Sequence, residues 1–247
     1  MSLFPLTKRS RVWGKPVREL TRKYEGDELA TLLRPGSSVG AVVVRPASGA
    51  DALRIESLRR ANRDWLQPWE ATMPPGSENL SPTWREYSKR MDQSMRSGRG
   101  LLMTVEIDGV VAGCVSVGAV EHGAMSQGVL GYWIAEEWAG HGITSLAVAS
   151  VVDTVLAQLG LHRIEINVRP ENNASLGVCR RLGLRREGYK PRFMSIAGQW
   201  ADHVSFGVDS EDIKDTPMVR ALALSRLRDQ EQSESATPPH GQHVPSS

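Results

Sequence analysis

The sequence predicts an α/β fold of the α+β type: a single mixed, mostly antiparallel sheet of about seven strands with helices on both faces. Three observations predict it. Two strand-forming runs, Leu101–Ile107 and Val110–Val117, flank Asp108-Gly109, the pair that supplies positive φ in a two-residue hairpin turn. A second such pair, Tyr189–Ile196 and Gln199–Val208, closes around Gly198. Between the two hairpins, residues 143 to 159 place Leu146, Val148, Val151, Val152, Val155 and Leu159 in the pattern of a buried helix, which feeds the alternating strand RIEINV at 163 to 168.

The elements follow in order. Residues 1 to 40 mix basic side chains with Pro5, Pro16, Pro35 and Gly36 and read as an extended arm, with a short helix from Asp27 to Leu33, ahead of the domain. Ala41 to Arg45 (AVVVR) is β-branched and bounded by Gly40 and Pro46, hence a strand; Ala50 to Arg63 sets Leu53, Ile55 and Leu58 at helical spacing. Trp65 to Pro82 carries four prolines and reads as a loop before a polar helix near Thr83 to Ser97. After the first hairpin come the strand Gln127 to Ile134 (QGVLGYWI), the buried helix, the strand at 163 to 168, and a short helix over Ala174 to Leu182 ended by Gly183. The domain therefore spans 41 to 208. Beyond it the chain turns polar, with a helix over Met218 to Arg228 and then a Gln, Ser, Pro and His tail too poor in apolar residues to pack.

Composition bounds the function. At 247 residues with 40% hydrophobic content, the chain builds a normal core without staples. A net charge of +2 gives no bulk electrostatic case for nucleic acid. The local exception is the N-terminal run, where Lys8, Arg9, Arg11, Lys15, Arg18, Arg22 and Lys23 face only Glu19; it reads as a solvated arm, or as a contact for an acidic partner such as ribosomal RNA. Cys114 and Cys179, both in apolar sequence and not at metal-ligand or redox spacing, point to a reducing compartment, and no metal is expected. No run of about 18 apolar residues and no signal-peptide core is visible, so a cytoplasmic protein with no membrane partner is expected.

The chemistry is concentrated where the strand ending at Ile134 runs through Ala139-Gly140-His141-Gly142-Ile143-Thr144 into the buried helix. The first amides of a helix have no internal partner and carry the positive end of its dipole, so a glycine turn there suits a pyrophosphate. The ordered series of that turn, then LGLHRIEI at 159 to 166, PENNAS at 170 to 175 and RLGLRREG at 181 to 188 resembles the GNAT acetyltransferase superfamily, and within it the RimJ/RimL branch of ribosomal-protein N-terminal acetyltransferases. The likeness covers about Ala41 to Val208.

The resemblance implies an acetyl-CoA-dependent N-acetyltransferase. Ala139 to Thr144 matches the turn whose amides hold the CoA pyrophosphate. Ile134 matches the position whose backbone meets pantetheine and the thioester carbonyl, and its N–H is the implied oxyanion donor. Asn172 matches the pantetheine contact, and Ser175 the residue that protonates the departing thiolate. Ala139 stands where the family has Gln or Arg, and Thr144 where Gly or Ala is common, which predicts weaker cofactor binding. Cys179 occupies the place of a tyrosine acid, so Ser175 or water must serve.

An amine attacks only when neutral, so a base or relay water is needed. Glu106, Glu121, His122, Glu165 and Glu70 are candidates by position, with Glu121 preferred. Cys179 shares a helical face with Leu176 and Leu182, as a structural thiol would. Trp133 and Trp200 suit core packing, whereas Trp65 and Trp69 suit the wall of an acceptor pocket, and Arg192 lies where the family closes over its acceptor. The acceptor is a peptide N-terminus or a small amine (an antibiotic, polyamine or amino acid), an acyl-CoA-binding module being the non-enzymatic alternative; the chain is expected to be a monomer or homodimer, and the basic arm is the one feature that suits a ribosome.

Overall fold

The structure, a computed structural model, describes residues 11–74, 76–77 and 84–235. A two-stranded hairpin, β1 (Arg11–Val12) and β2 (Lys15–Pro16), leads through one turn of helix, α1 (Val17–Leu20), into the main sheet. That sheet has eight strands: β3 (Arg22–Glu25), β4 (Ala41–Pro46), β5 (Leu101–Ile107), β6 (Val110–Glu121), β7 (Gln127–Ile134), β8 (Arg163–Val168), β9 (Arg185–Ile196) and β10 (Gln199–Asp209). Their order is β3-β4-β5-β6-β7-β8-β10-β9, and every pair is antiparallel except β7–β8. The helices are α2 (Gly26–Leu32), α3 (Ala52–Ala61), α4 (Arg63–Leu66), α5 (Trp84–Ser97), α6 (Ile143–Asp153), α7 (Asn173–Arg181) and α8 (Met218–Ser235). Asp108 and Gly109 take φ of 50° and 84° in the β5–β6 turn, the positive values that the pair was read to supply.

Five consecutive residues of β5, Leu101 to Val105, are buried, so both faces of the sheet are covered there. α3 and α5 pack on β6 and β5, while α2, α6 and α8 pack on one another and α6 reaches β4, β6 and β7. Nine of the eleven residues of α6 are buried, which explains its apolar sequence all round: it is enclosed by sheet and helices. A π-helical turn, Thr154–Gln158, continues it toward Leu159.

Two departures from the sequence reading concern the ends of the chain. Residues 11 to 33 do not form an extended arm. Leu20, Tyr24, Leu29, Leu32 and Leu33 are buried in the common core, and β3 adds an eighth strand at the sheet edge beside β4. At the other end, α8 runs to Ser235, seven residues further than the sequence suggests, with Met218 and Leu222 buried. The backbone N–H groups of Met218 and Val219 donate to the Asp153 carboxylate at 2.6 and 3.0 Å, so the last residue of α6 caps the first turn of α8. Lys8 and Arg9 and the tail after residue 235 lie outside the described residues. No described helix is long and apolar enough to cross a membrane.

Candidate active site

The parallel pairing of β7 with β8 stops after three residues, Gln127 to Val129 against Arg163 to Glu165. Beyond it the two strands part. Antiparallel ladders alternate, and Ala135 N donates to Ala112 O at 2.8 Å, so Ala135, Trp133 and Gly131 direct their backbone groups at β6. Leu130, Tyr132 and Ile134 therefore aim their N–H and C=O groups at the gap left by β8. Trp65 Nε1 donates to one of these carbonyls, Ile134 O, at 3.1 Å.

The gap opens into a cavity of about 250 Å³, lined among others by Trp69, Tyr132, Asn167, Asn172, Ser175 and His203. Trp69 is part of the lining, its ring 5.7 Å from the Arg169 guanidinium. Arg169 also donates to Pro68 O at 3.0 Å, and Ala71 bridges Ile196, so the Trp-containing loop is fastened to the ends of β8 and β9. Trp65 is half-buried outside the cavity lining and serves to fix the end of β7. Trp133 is half-buried with the Arg59 guanidinium 5.7 Å from its ring, but Trp200 is 56% exposed: core packing does not hold for it, because it sits at the β9–β10 turn.

Asn172, which lines the cavity, caps α7, its Oδ1 accepting from Ser175 N at 3.0 Å, so the cap does not use its amide NH₂. Tyr132 OH donates to Ser175 O at 3.3 Å. Burial, and then the neighbouring Cys179, raise the Tyr132 pKa, so the phenol is neutral. Cys179 is fully buried and its thiol is pushed up to about 11, chiefly by burial, which fits a packing role and not a thiolate nucleophile.

Of the proposed bases, none stands free in the cavity. Glu121 is exposed and pairs with Gln127 at the opposite end of β7 from the glycine turn, because β6 runs on four residues past Val117. Glu106 is engaged by Arg45, which also grips Asp51 with two bonds of 2.8 and 2.9 Å. His122 is tied to Gly98 O at 2.8 Å and packs edge-on against Trp13. Glu70 pairs with Arg59 at 2.7 Å. Burial raises the pKa of Glu165, but Lys190, Asn167 and Arg163 outweigh it and hold the carboxylate below its ordinary value. Arg192 is exposed on an irregular stretch of β9, with φ of 49° and its N–H on Asp202 Oδ1 at 2.7 Å, and does not line the cavity.

Two cavity residues were not singled out from the sequence. His203 is only 3% exposed, and burial lowers its pKa below 6.5, with the Ala201 carbonyl opposing. An Nδ1–H donating to Ala201 O at 3.1 Å leaves Nε2 as an acceptor. Asn167 gives its amide N–H to Glu165 at 2.8 Å, while its buried Oδ1 has no hydrogen-bond partner among the described residues. A register shift between Ala201 and His203 changes which side chains of β10 share a face, and simple alternation cannot reveal it.

In the turn that leads from the end of β7 into α6, Gly140 and Gly142 take φ of 86° and 92°, and α6 starts with no side-chain cap. A Cβ at Gly142 would meet Arg226 Nη2 at 2.9 Å and Arg34 N at 3.3 Å, so only glycine fits this turn. Its uncapped amides and positive φ values suit an anionic group approaching the backbone.

The same geometry recurs among known proteins. A family described as acetyltransferase (GNAT) domain matches residues 42–185. The [ribosomal protein uS5]-alanine N-acetyltransferase of Escherichia coli strain K12 is 29% identical over 175 residues, covering 69% of this chain and 89% of the relative. Mycobacterium smegmatis RimJ, solved in complex with CoA-disulfide, is 32% identical with a TM-score of 0.67, over 76% of this chain and 90% of that one. The ribosomal-protein-S5-alanine acetyltransferase of Vibrio fischeri is 26% identical with a TM-score of 0.62, over 69% and 94%. The chain belongs to the GNAT acetyltransferase family and is an N-acetyltransferase.

Proposed function

We propose that this enzyme transfers the acetyl group of acetyl-CoA to the α-amine of a protein N-terminus, with a ribosomal protein as acceptor and the cytoplasm as its place of action. The parting of β7 from β8 beside an uncapped, glycine-lined start of α6 carries the reading: it provides a slot for an extended thiol-bearing arm and an anion site at one end of that slot. The acceptor class rests on the uS5-alanine and S5-alanine acetyltransferases to which the chain is similar over most of their length.

Acetyl-CoA supplies a thioester whose carbonyl carbon a neutral amine attacks directly. The amides of Ala139 to Thr144 hold the phosphates, with Gly140 and Gly142 admitting them and His141 and Ile143 completing the turn. The Asn172 amide and the β7 backbone position the pantetheine arm. The N–H groups of Tyr132 and Ile134, both aimed into the gap, face the oxygen on which negative charge develops. Asn167 Oδ1 accepts a hydrogen bond from the incoming amine, and His203 Nε2, in place of Glu121, takes its proton directly or through a water. Ser175 returns a proton to the thiolate that leaves.

Calorimetric titration of acetyl-CoA, followed by thiol release with an N-terminal ribosomal-protein peptide, tests this. Binding that disappears in Gly140→Asp, where an added Cβ meets no atom within 4 Å and the φ of 86° is the strain to be checked by the thermal midpoint, together with peptide-dependent thiol release, is expected. Absence of binding to the wild type would overturn the reading; thiol release with small amines alone would move the acceptor to that class.

A further inference from the structure

The start of α6 is crowded by cations from three separate parts of the chain. Arg226 of α8 is 8% exposed, and its Nε and Nη2 are buried with no hydrogen-bond partner among the described residues. Its Nη2 stands where a Cβ of Gly142 would lie only 2.9 Å away. Arg34 follows Leu33 over the same turn, its N–H donating to His141 O at 3.0 Å. Arg181, at the end of α7, reaches Ser145 Oγ in the first turn of α6 at 3.2 Å.

This arrangement is unfavourable by itself. A buried guanidinium without a partner costs free energy, and the positive end of a helix dipole beside it adds to the cost. Burial lowers the pKa of both Arg181 and Arg226, and repulsion from Arg34 lowers both further. Among the described residues, the attractive charge near Arg226 is Asp229, on its own helix. An anion with several acceptor oxygens at the turn reverses each of these terms.

We propose that Arg226, assisted by Arg34 and Arg181, binds a phosphate group of the nucleotide end of CoA. Residues 34 and 226 lie outside the span 42–185 matched by the family, so the flanking segments complete a cofactor site that the shared domain leaves open on this side. The inference rests on the reading of 139 to 144 as the phosphate turn. It assigns α8 a role in binding, beyond covering the core.

Arg226→Met keeps the length of the side chain and removes its charge. Two measurements on the full chain decide the matter: the thermal midpoint without ligand, and the affinity for acetyl-CoA by calorimetry. Loss of affinity on the order of tenfold to a hundredfold, together with an unliganded midpoint that rises or holds, is expected. Unchanged affinity would overturn the proposal, and so would a midpoint and an affinity that fall together, since that pattern belongs to a packing residue. Arg34→Gln, at the exposed rim, provides a second variant that leaves the core untouched and must show the same loss.

Acetyl-3′-dephospho-CoA identifies the phosphate. If the Arg226→Met penalty persists with it, the pyrophosphate is the partner; if the penalty vanishes, the 3′-phosphate is. Wild-type protein that binds no acetyl-CoA would defeat the functional reading itself. Wild-type binding that Gly140→Asp abolishes and Arg226→Met leaves intact would defeat this inference alone.

Discussion

At the scale of single residues, the roles proposed for the cavity divide groups that would perform chemistry from groups that hold others in place. His203 is buried and neutral at neutral pH. The neutral imidazole is the form that takes a proton, and burial depresses its pKa, so turnover is present above the shifted value and lost as pH falls through it. The acidic limb of a kcat profile should therefore have its midpoint below 6.5, and His203→Gln should lower kcat by roughly a hundredfold and abolish that limb. Ser175→Ala should reduce turnover while calorimetry records unchanged acetyl-CoA binding. Asn172 has two roles that substitution can part. Asn172→Ala removes the α7 cap and should cost about 1 kcal/mol by denaturant titration, whereas Asn172→Asp keeps the cap and stability but loses the amide donor and weakens acetyl-CoA binding.

Among the elements, those with a strong internal period were legible in the sequence. β7 and β8 have the bounds that alternation and β-branching indicate, and the Asp108-Gly109 hairpin follows from turn chemistry alone. β3 was not legible. It is four residues long, and only Tyr24 of RKYE is buried, because an edge strand exposes its polar side chains and leaves little pattern. The surroundings of the candidate carboxylates were hidden for a related reason: the sequence shows that Glu106, Glu70 and Glu165 lie near the strands and loop of interest, but not that Arg45, Arg59 and Lys190 engage them. The positive φ values of Gly140 and Gly142 and the Asn172 cap of α7 were legible because each belongs to a local motif. The α8 helix depends on its buried side chains, and Leu222, 1% exposed, is central to them. Leu222→Ala should destabilise the protein by about 2–5 kcal/mol in urea unfolding, and the loosened α8 should weaken acetyl-CoA binding in parallel.

On the scale of the whole molecule, the gap between β7 and β8 is framed by the middle of the chain, while both flanks converge on α6, one at the turn before it and the other at its last residue. Ser37 meets His141 across 104 positions of sequence, and Met218 meets Asp153 across 65. Such closures are slow to form, because loop entropy must be overcome before the contacts reward it. The consequence concerns time. During synthesis the sheet through β10 is made before α8 exists, so a nascent chain has its catalytic gap in sequence well before Arg226 can reach Gly142. Competence to retain the acetyl donor would then arise only once α8 has been made and has docked, and a chain caught before that point would be a poor competitor for the supply of that donor.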